Sequence, residues 1–219
     1  TMKTVIITGA SGNLGKACVE KFLQVGYKVI VTVTPGKTLG FEVTGTVETY
    51  EADLTDEGSV DKVIANIIKH NKAIDAALLL VGGYASGGIK ETDSTVLRKM
   101  FTLNFDTAYF VARPLFQQML QQPNGGRLIF VGSRPALEAQ DARRSLGYAL
   151  SKSLIFKLAD VLNLEGSASN VTASVVVPST IDTPSNRQSM PKADFTTWVK
   201  PEEIADAMAH LCSSESNAW

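Results

Sequence analysis

The run Thr4-Val-Ile-Ile-Thr-Gly-Ala-Ser-Gly-Asn-Leu-Gly15 joins a β-branched stretch to a glycine-rich turn, and Leu14, Cys18, Phe22 and Val25 then recur at helical spacing as far as Gly26. Strand, glycine turn and helix therefore follow one another directly. Gly9 permits a tight turn, Gly12 lets the backbone approach a pyrophosphate, and Gly15 allows close helix-on-strand packing. The helix start supplies free N–H donors and the positive end of its dipole. A glycine turn after a strand and before a helix is the context a dinucleotide-binding loop needs. The spacing here is GxxGxxG, with Asn13 at the position between the second and third glycines.

Outward from this unit the same alternation continues. Short apolar runs at Lys28–Val33, Val47–Tyr50, Ala76–Val81, Arg127–Val131 and Thr172–Val177 read as five more buried strands of a parallel sheet. Helical patterns separate them: Val60, Val63, Ile64, Ile67 and Ile68 before the fourth strand, a long one from about Thr95 to Gln122 before the fifth, and Tyr148 to about Leu164 before the sixth. The reading is an α/β fold, a single-domain doubly wound parallel sheet (Rossmann fold) with helices on both faces, covering 1–219. Ligand belongs at the carboxyl ends of the strands. Glu138–Ser145 reads as an Arg-rich, flexible segment.

Composition narrows the function. The chain has 219 residues, 44% hydrophobic and 20% charged, an ordinary globular balance. A formal net charge of −1, with no Lys/Arg run longer than two, gives no field for nucleic acid, so the expected partner is a small-molecule substrate. Cys18 and Cys212 are too few for a disulfide framework or a metal cluster. No stretch reads as a signal-peptide core or reaches the length of a membrane span, and the expectation is a cytoplasmic protein with no membrane contact. His70 and His210 lie near helix ends, where the dipole accounts for them.

The chemistry is carried by Gly147-Tyr-Ala-Leu-Ser-Lys152 and, upstream, Leu128-Ile-Phe-Val-Gly-Ser133. A spacing of four puts the Tyr148 phenol and the Lys152 ammonium on one helix face, so the cation is expected to pull the phenol's pKa down and let it trade protons near neutral pH. At the end of the second strand, Thr32-Val-Thr-Pro-Gly-Lys37 offers no carboxylate to bond an adenosine 2′-hydroxyl. Lys37 is placed to meet a 2′-phosphate, so NADP(H) is favoured over NAD(H). Asp53, after the third strand, reads equally as an adenine contact or as a turn residue.

Taken in order, Thr8–Gly15, Asp53, Asn104, Ser133, Tyr148 and Lys152 resemble the short-chain dehydrogenase/reductase family. The run Val81-Gly-Gly-Tyr-Ala-Ser-Gly-Gly88 and the tail Pro178-Ser-Thr-Ile-Asp-Thr-Pro-Ser-Asn-Arg-Gln-Ser-Met-Pro-Lys-Ala-Asp-Phe-Thr-Thr-Trp198 resemble its dihydropteridine reductase branch, which shares the GxxGxxG spacing. Retention of Ser133 departs from that branch and suits carbonyl chemistry. The resemblance implies hydride transfer from NAD(P)H to a small carbonyl or conjugated, pterin-like imine. Tyr148 would act as proton donor, Lys152 as its partner, Ser133 as the holder of the substrate oxygen, and Asn104 as the anchor of a water relay. It also implies a dinucleotide site of Gly9, Ser11, Gly12, Asn13, Leu14, Gly15, Lys37, Asp53, Leu54, Gly82, Gly83, Tyr148, Lys152, Pro178, Ile181 and Thr183. Substrate contacts are expected from Tyr84, Ser133, Asn186 and Arg187, with Phe195 and Trp198 as a lid. A homodimer or homotetramer through the two long helices follows by resemblance, as does a seventh strand that this sequence lacks after Ser213. The alternative is a regulator that senses NAD(P) without chemistry; such proteins usually lose the Tyr-Lys pair.

Overall fold

A computed structural model describes residues 2–213. Six strands, β1 (Thr4–Thr8), β2 (Lys28–Val33), β3 (Val47–Glu51), β4 (Ala76–Leu79), β5 (Gly126–Val131) and β6 (Val171–Val176), form one sheet in the order β3-β2-β1-β4-β5-β6. Every pairing is parallel. Eight α-helices lie among the described residues: α1 (Asn13–Gln24), α2 (Glu57–His70), α3 (Ser94–Phe101), α4 (Thr107–Leu120), α5 (Ala139–Ala142), α6 (Leu146–Gly166), α7 (Pro184–Ser189) and α8 (Pro201–Leu211).

Strand alternation sorts the core into two layers. Val5, Ile7, Val29, Val31, Ala76, Leu78 and Ile129 face α1 and α8, whereas Ile6, Ile30, Ala77, Leu79, Leu128 and Phe130 face α2, α4 and α6. A sheet covered on both faces needs strands apolar at every position, which is why β1 is buried throughout. After β3 the chain crosses to the far side of β1 to build β4, so the direction of winding reverses there. That reversal opens a crevice beyond the carboxyl ends of β1 and β4.

Three local features differ from the sequence reading. The fourth strand stops at Leu79, short of Val81, because the Leu80 N–H turns to the Thr8 hydroxyl (3.2 Å) before the chain enters Gly82-Gly83. The long helix is interrupted: α3 gives way to a π-helical turn at Thr102–Asp106 before α4 begins. Asn104, in this turn, lies one turn beyond the buried Met100 and has 1% of its surface exposed. The segment read as flexible contains α5, braced by an ion pair of Arg134 with Asp141 (2.6 Å).

β6 is the edge of the sheet among the described residues, and any continuation through Ser214–Trp219 lies outside them. No described helix is long and apolar enough to cross a membrane.

Candidate active site

At the amino end of α1 the backbone folds as the glycines require. The Gly12 N–H donates to the Gly9 carbonyl (3.1 Å), and Gly9 takes a left-handed φ of 68°. A Cβ on Gly15 would fall on the Gly9 carbonyl oxygen and within 2.6 Å of Ala10 Cα, so only glycine lets α1 sit this close to β1. No side chain caps the helix, and first-turn N–H groups have no acceptor within their own helix. Ser11, Gly12 and Asn13 are exposed around this opening, and Leu14 packs on the core beside it. An anion fits that cradle.

Beyond β2 the chain makes a turn in which the Lys37 N–H donates to the Thr34 carbonyl (2.9 Å), leaving Lys37 exposed. The expected absence of a carboxylate here is corrected by the sheet. Parallel register sets Glu51, the last residue of β3, opposite Val33, and Glu51 Oε2 accepts the Gly36 N–H at 3.2 Å. Asp53 takes the turn role: its Oδ1 accepts the Thr55 N–H (2.9 Å) and hydroxyl (2.7 Å), and these bonds hold its carboxyl below the usual range. Leu54, next to it, packs on the core.

Ser133, Tyr148 and Lys152 converge at the mouth of the crevice. Lys152 is 6% exposed; its Nζ donates to the Val131 carbonyl at 2.8 Å, and burial pulls its pKa down to about 8. The Tyr148 phenol is pushed above its ordinary pKa, first by burial and then by the Tyr84 phenol, with the Ser133 hydroxyl acting in the opposite direction. This overturns the expectation that Lys152 depresses it: desolvation outweighs every favourable neighbour, and the phenol stays protonated at neutral pH. Ser133 is 5% exposed, and although its hydroxyl is close enough to act on the phenol, its Oγ makes no hydrogen bond of acceptable geometry. A buried hydroxyl left without a partner is costly, and a ligand oxygen would satisfy it.

Asn104 ties these parts together. Its Oδ1 accepts the Gly83 N–H (2.8 Å), while Nδ2 donates to the Gly83 carbonyl (3.0 Å) and to Ser151 Oγ (3.0 Å). Ser151 in turn donates to the Tyr148 carbonyl (2.8 Å). A Cβ on Gly82 would stand 2.8 Å from Asn104 Oδ1 and 3.3 Å from Lys152 Nζ, so the β4 loop passes directly over both. Ser151 was not legible as a site residue: its position in the helix predicts burial, but nothing local says that it joins Asn104. Tyr84, 66% exposed, sets its ring edge-on to Tyr148 at 5.1 Å. Its loop is stitched to the entry of α6 by bonds from Gly87 N–H to the Arg144 carbonyl (2.8 Å) and from Leu146 N–H to the Gly87 carbonyl (2.9 Å).

The polar groups of the tail bond to one another. Arg187 is committed to Asp182 through two bonds (2.6 and 2.7 Å), and its guanidinium lies 4.6 Å from the centroid of Phe195. Asn186 Nδ2 donates to the Ile181 carbonyl (2.9 Å), and Thr183 Oγ1 accepts the Asn186 N–H (3.2 Å), capping α7. The polar groups expected to meet substrate are thus engaged within their own segment, because a short loop with few apolar contacts needs its own ties. Phe195 and Trp198 pack on one another at 4.7 Å. Pro178 and Ile181 are half-buried between β6 and this segment, and Ile181 pairs with Val199.

Residues 3–194 match the family model described as short chain dehydrogenase. The chain is 28% identical over 228 residues to the cyclic-di-GMP-binding biofilm dispersal mediator protein of Escherichia coli strain K12, covering 99% of this chain and 92% of that one. It is 26% identical over 230 residues to the 3-oxoacyl-acyl-carrier-protein reductase MabA of Mycobacterium bovis, covering 98% and 87%. Among solved structures, ElxO with NADP bound matches with a TM-score of 0.90 at 21% identity, over 100% of this chain and 94% of that one. With its cradle, its Ser-Tyr-Lys set and this match along most of its length, the chain belongs to the short-chain dehydrogenase family.

Proposed function

We propose that this protein is an NAD(P)H-dependent reductase that protonates a reduced carbonyl or conjugated, pterin-like imine through Tyr148. The observation that carries the reading is the buried, unpartnered Ser133 hydroxyl beside the Tyr148 phenol, a donor pair open to a substrate heteroatom. A bound nicotinamide supplies hydride. The chain does the rest. The glycine loop holds the phosphates; Asp53, Leu54, Gly82, Gly83, Pro178, Ile181 and Thr183 line the remainder of the cofactor site; and Lys37 favours NADP(H) over NAD(H) by attracting a 2′-phosphate.

Burial keeps Tyr148 protonated and so ready to donate as negative charge develops on the substrate. Ser133 holds that same atom. Lys152, charged below about pH 8, balances the charge left on the phenolate. Asn104 and Ser151 fix the β4 loop against α6. Tyr84, exposed and edge-on to Tyr148, offers a flat ring face for an aromatic substrate, which favours the pterin-like class over a simple ketone.

The test is a panel of quinonoid dihydropterin, ketones and aldehydes run with NADH and NADPH in parallel. Tyr148→Phe should lower turnover at least about 100-fold while the folded structure is retained. No turnover by the wild type on any member, or an unchanged rate in Tyr148→Phe, overturns the reading. The alternative is a non-catalytic NAD(P)-sensing protein; the Escherichia coli relative is named as a binding protein, for cyclic-di-GMP. The retained Ser133, Tyr148 and Lys152 weigh against it.

A further inference from the structure

We propose that Glu51 is a specificity-determining residue that opposes Lys37 and lets NAD(H) bind nearly as well as NADP(H). The inference rests on the reading that the glycine loop holds a dinucleotide. In that arrangement the substituent on the adenosine 2′-carbon is read at the end of β2, where an acid bonds a hydroxyl and repels a phosphate. The β2 segment itself carries no acid there. The neighbouring strand supplies one.

Three observations place it. Val33 is the register partner of Glu51, and Val33 continues the series Val29 and Val31, which faces α1, so Glu51 stands on the face from which the glycine loop leads into α1. Adjacent strands lie about 4.8 Å apart, a gap a glutamate side chain spans easily. It does so: its Oε2 holds the Gly36 N–H, in the middle of the turn whose next residue is Lys37. Beside this turn runs a groove of about 680 Å³ lined by Val33, Lys37, Phe41, Thr49 and Glu51, with Glu42 on its wall.

Charge decides the consequence. The groove holds two carboxylates, Glu42 and Glu51, against one ammonium, Lys37. Among the described residues Lys37 and Glu51 form no ion pair with one another, so each stays available to a ligand. Lys37 attracts a 2′-phosphate; Glu51 repels it and accepts a hydrogen bond from a 2′-hydroxyl instead. Exposed charges act weakly, so the two effects are of similar size and the preference is shallow.

Isothermal titration of the purified full chain with NADPH and with NADH tests this without any substrate. Glu51→Gln keeps an oxygen acceptor for the Gly36 N–H while removing the charge. It should tighten NADPH about five-fold and leave NADH unchanged or weaker. Lys37→Ala should weaken NADPH alone, by a similar factor. Glu51→Asp, which keeps the charge on a shorter stem, should fall between wild type and Glu51→Gln. If Glu51→Gln binds NADPH and NADH in the wild-type ratio within two-fold, Glu51 does not set the preference. Failure of the wild type to bind either nucleotide would overturn the cofactor reading as well, an outcome distinct from an unchanged ratio.

Discussion

Lys152 shows how much a single ionisable group costs when function fixes its place. Its ammonium is buried, bonded to one carbonyl, and its pKa falls from 10.5 to about 8. A base whose folded pKa lies below its unfolded value penalises folding wherever it is charged in both states. The penalty is therefore full below about pH 8 and is relieved as pH rises from 8 towards 10.5. Removing the charge recovers up to about 3 kcal/mol, of which about 1 is returned by the orphaned Val131 carbonyl. Lys152→Met should accordingly raise stability at pH 7 by on the order of 1–2 kcal/mol, with the gain shrinking as pH approaches 10. Urea denaturation across that range checks it; a variant less stable at pH 7 would contradict the assigned cost. The residue persists at the expense of stability, as functional groups in folded proteins often do.

At the scale of elements, Asn104 in the π turn at Thr102–Asp106 joins three separate pieces of chain. Asn104 lies one turn beyond the buried Met100 and in contact with its sulfur, and from there it meets Gly83 and Ser151. The β4 loop, the interrupted helix and α6 become one braced unit, and Tyr148 and Lys152 are held on its last member. Ser151→Ala leaves Asn104 Nδ2 with the Gly83 carbonyl and only the weakly accepting Met100 sulfur (3.8 Å), which costs about 1 kcal/mol. The expected outcome is a lower urea midpoint together with faster amide exchange at Gly83 than in wild type. Exchange at Gly83 that stays at the wild-type rate would mean that Asn104 holds the loop without Ser151. Strand boundaries were legible within two residues for all six strands. The π turn was not, because hydrophobic spacing averages over the single extra residue it accommodates.

Among the described residues, α6 carries an apolar stripe outside the core. Leu150, Val161 and Leu164 on α6 are exposed, Leu164 at 79%, and Tyr109 on α4 adds an exposed ring beside Phe105. Side chains spaced in this way line one face of a helix, and apolar surface of this kind marks an association site. A second copy of the chain docked on α4 and α6 would cover this stripe. Size-exclusion chromatography with light scattering should report a dimer or tetramer, and Leu164→Asp combined with Leu150→Lys should shift it towards monomer without loss of helix content. A wild type that runs as a monomer at micromolar concentration would sink the inference.

The sequence by itself determined the alternation of strands and helices, the phosphate cradle and the Ser133, Tyr148 and Lys152 set. Those signals are local: hydrophobic period, glycine spacing, and a four-residue step along one helix. Tertiary structure alone decided what lies between segments. Strand register brought Glu51 to the end of β2, where the linear sequence shows no acid. Burial raised the Tyr148 pKa that a neighbouring lysine was expected to lower. Packing set the Arg187 guanidinium between Asp182 and Phe195. Each depends on dielectric surroundings or on contacts across many residues, and neither quantity is written in a local pattern.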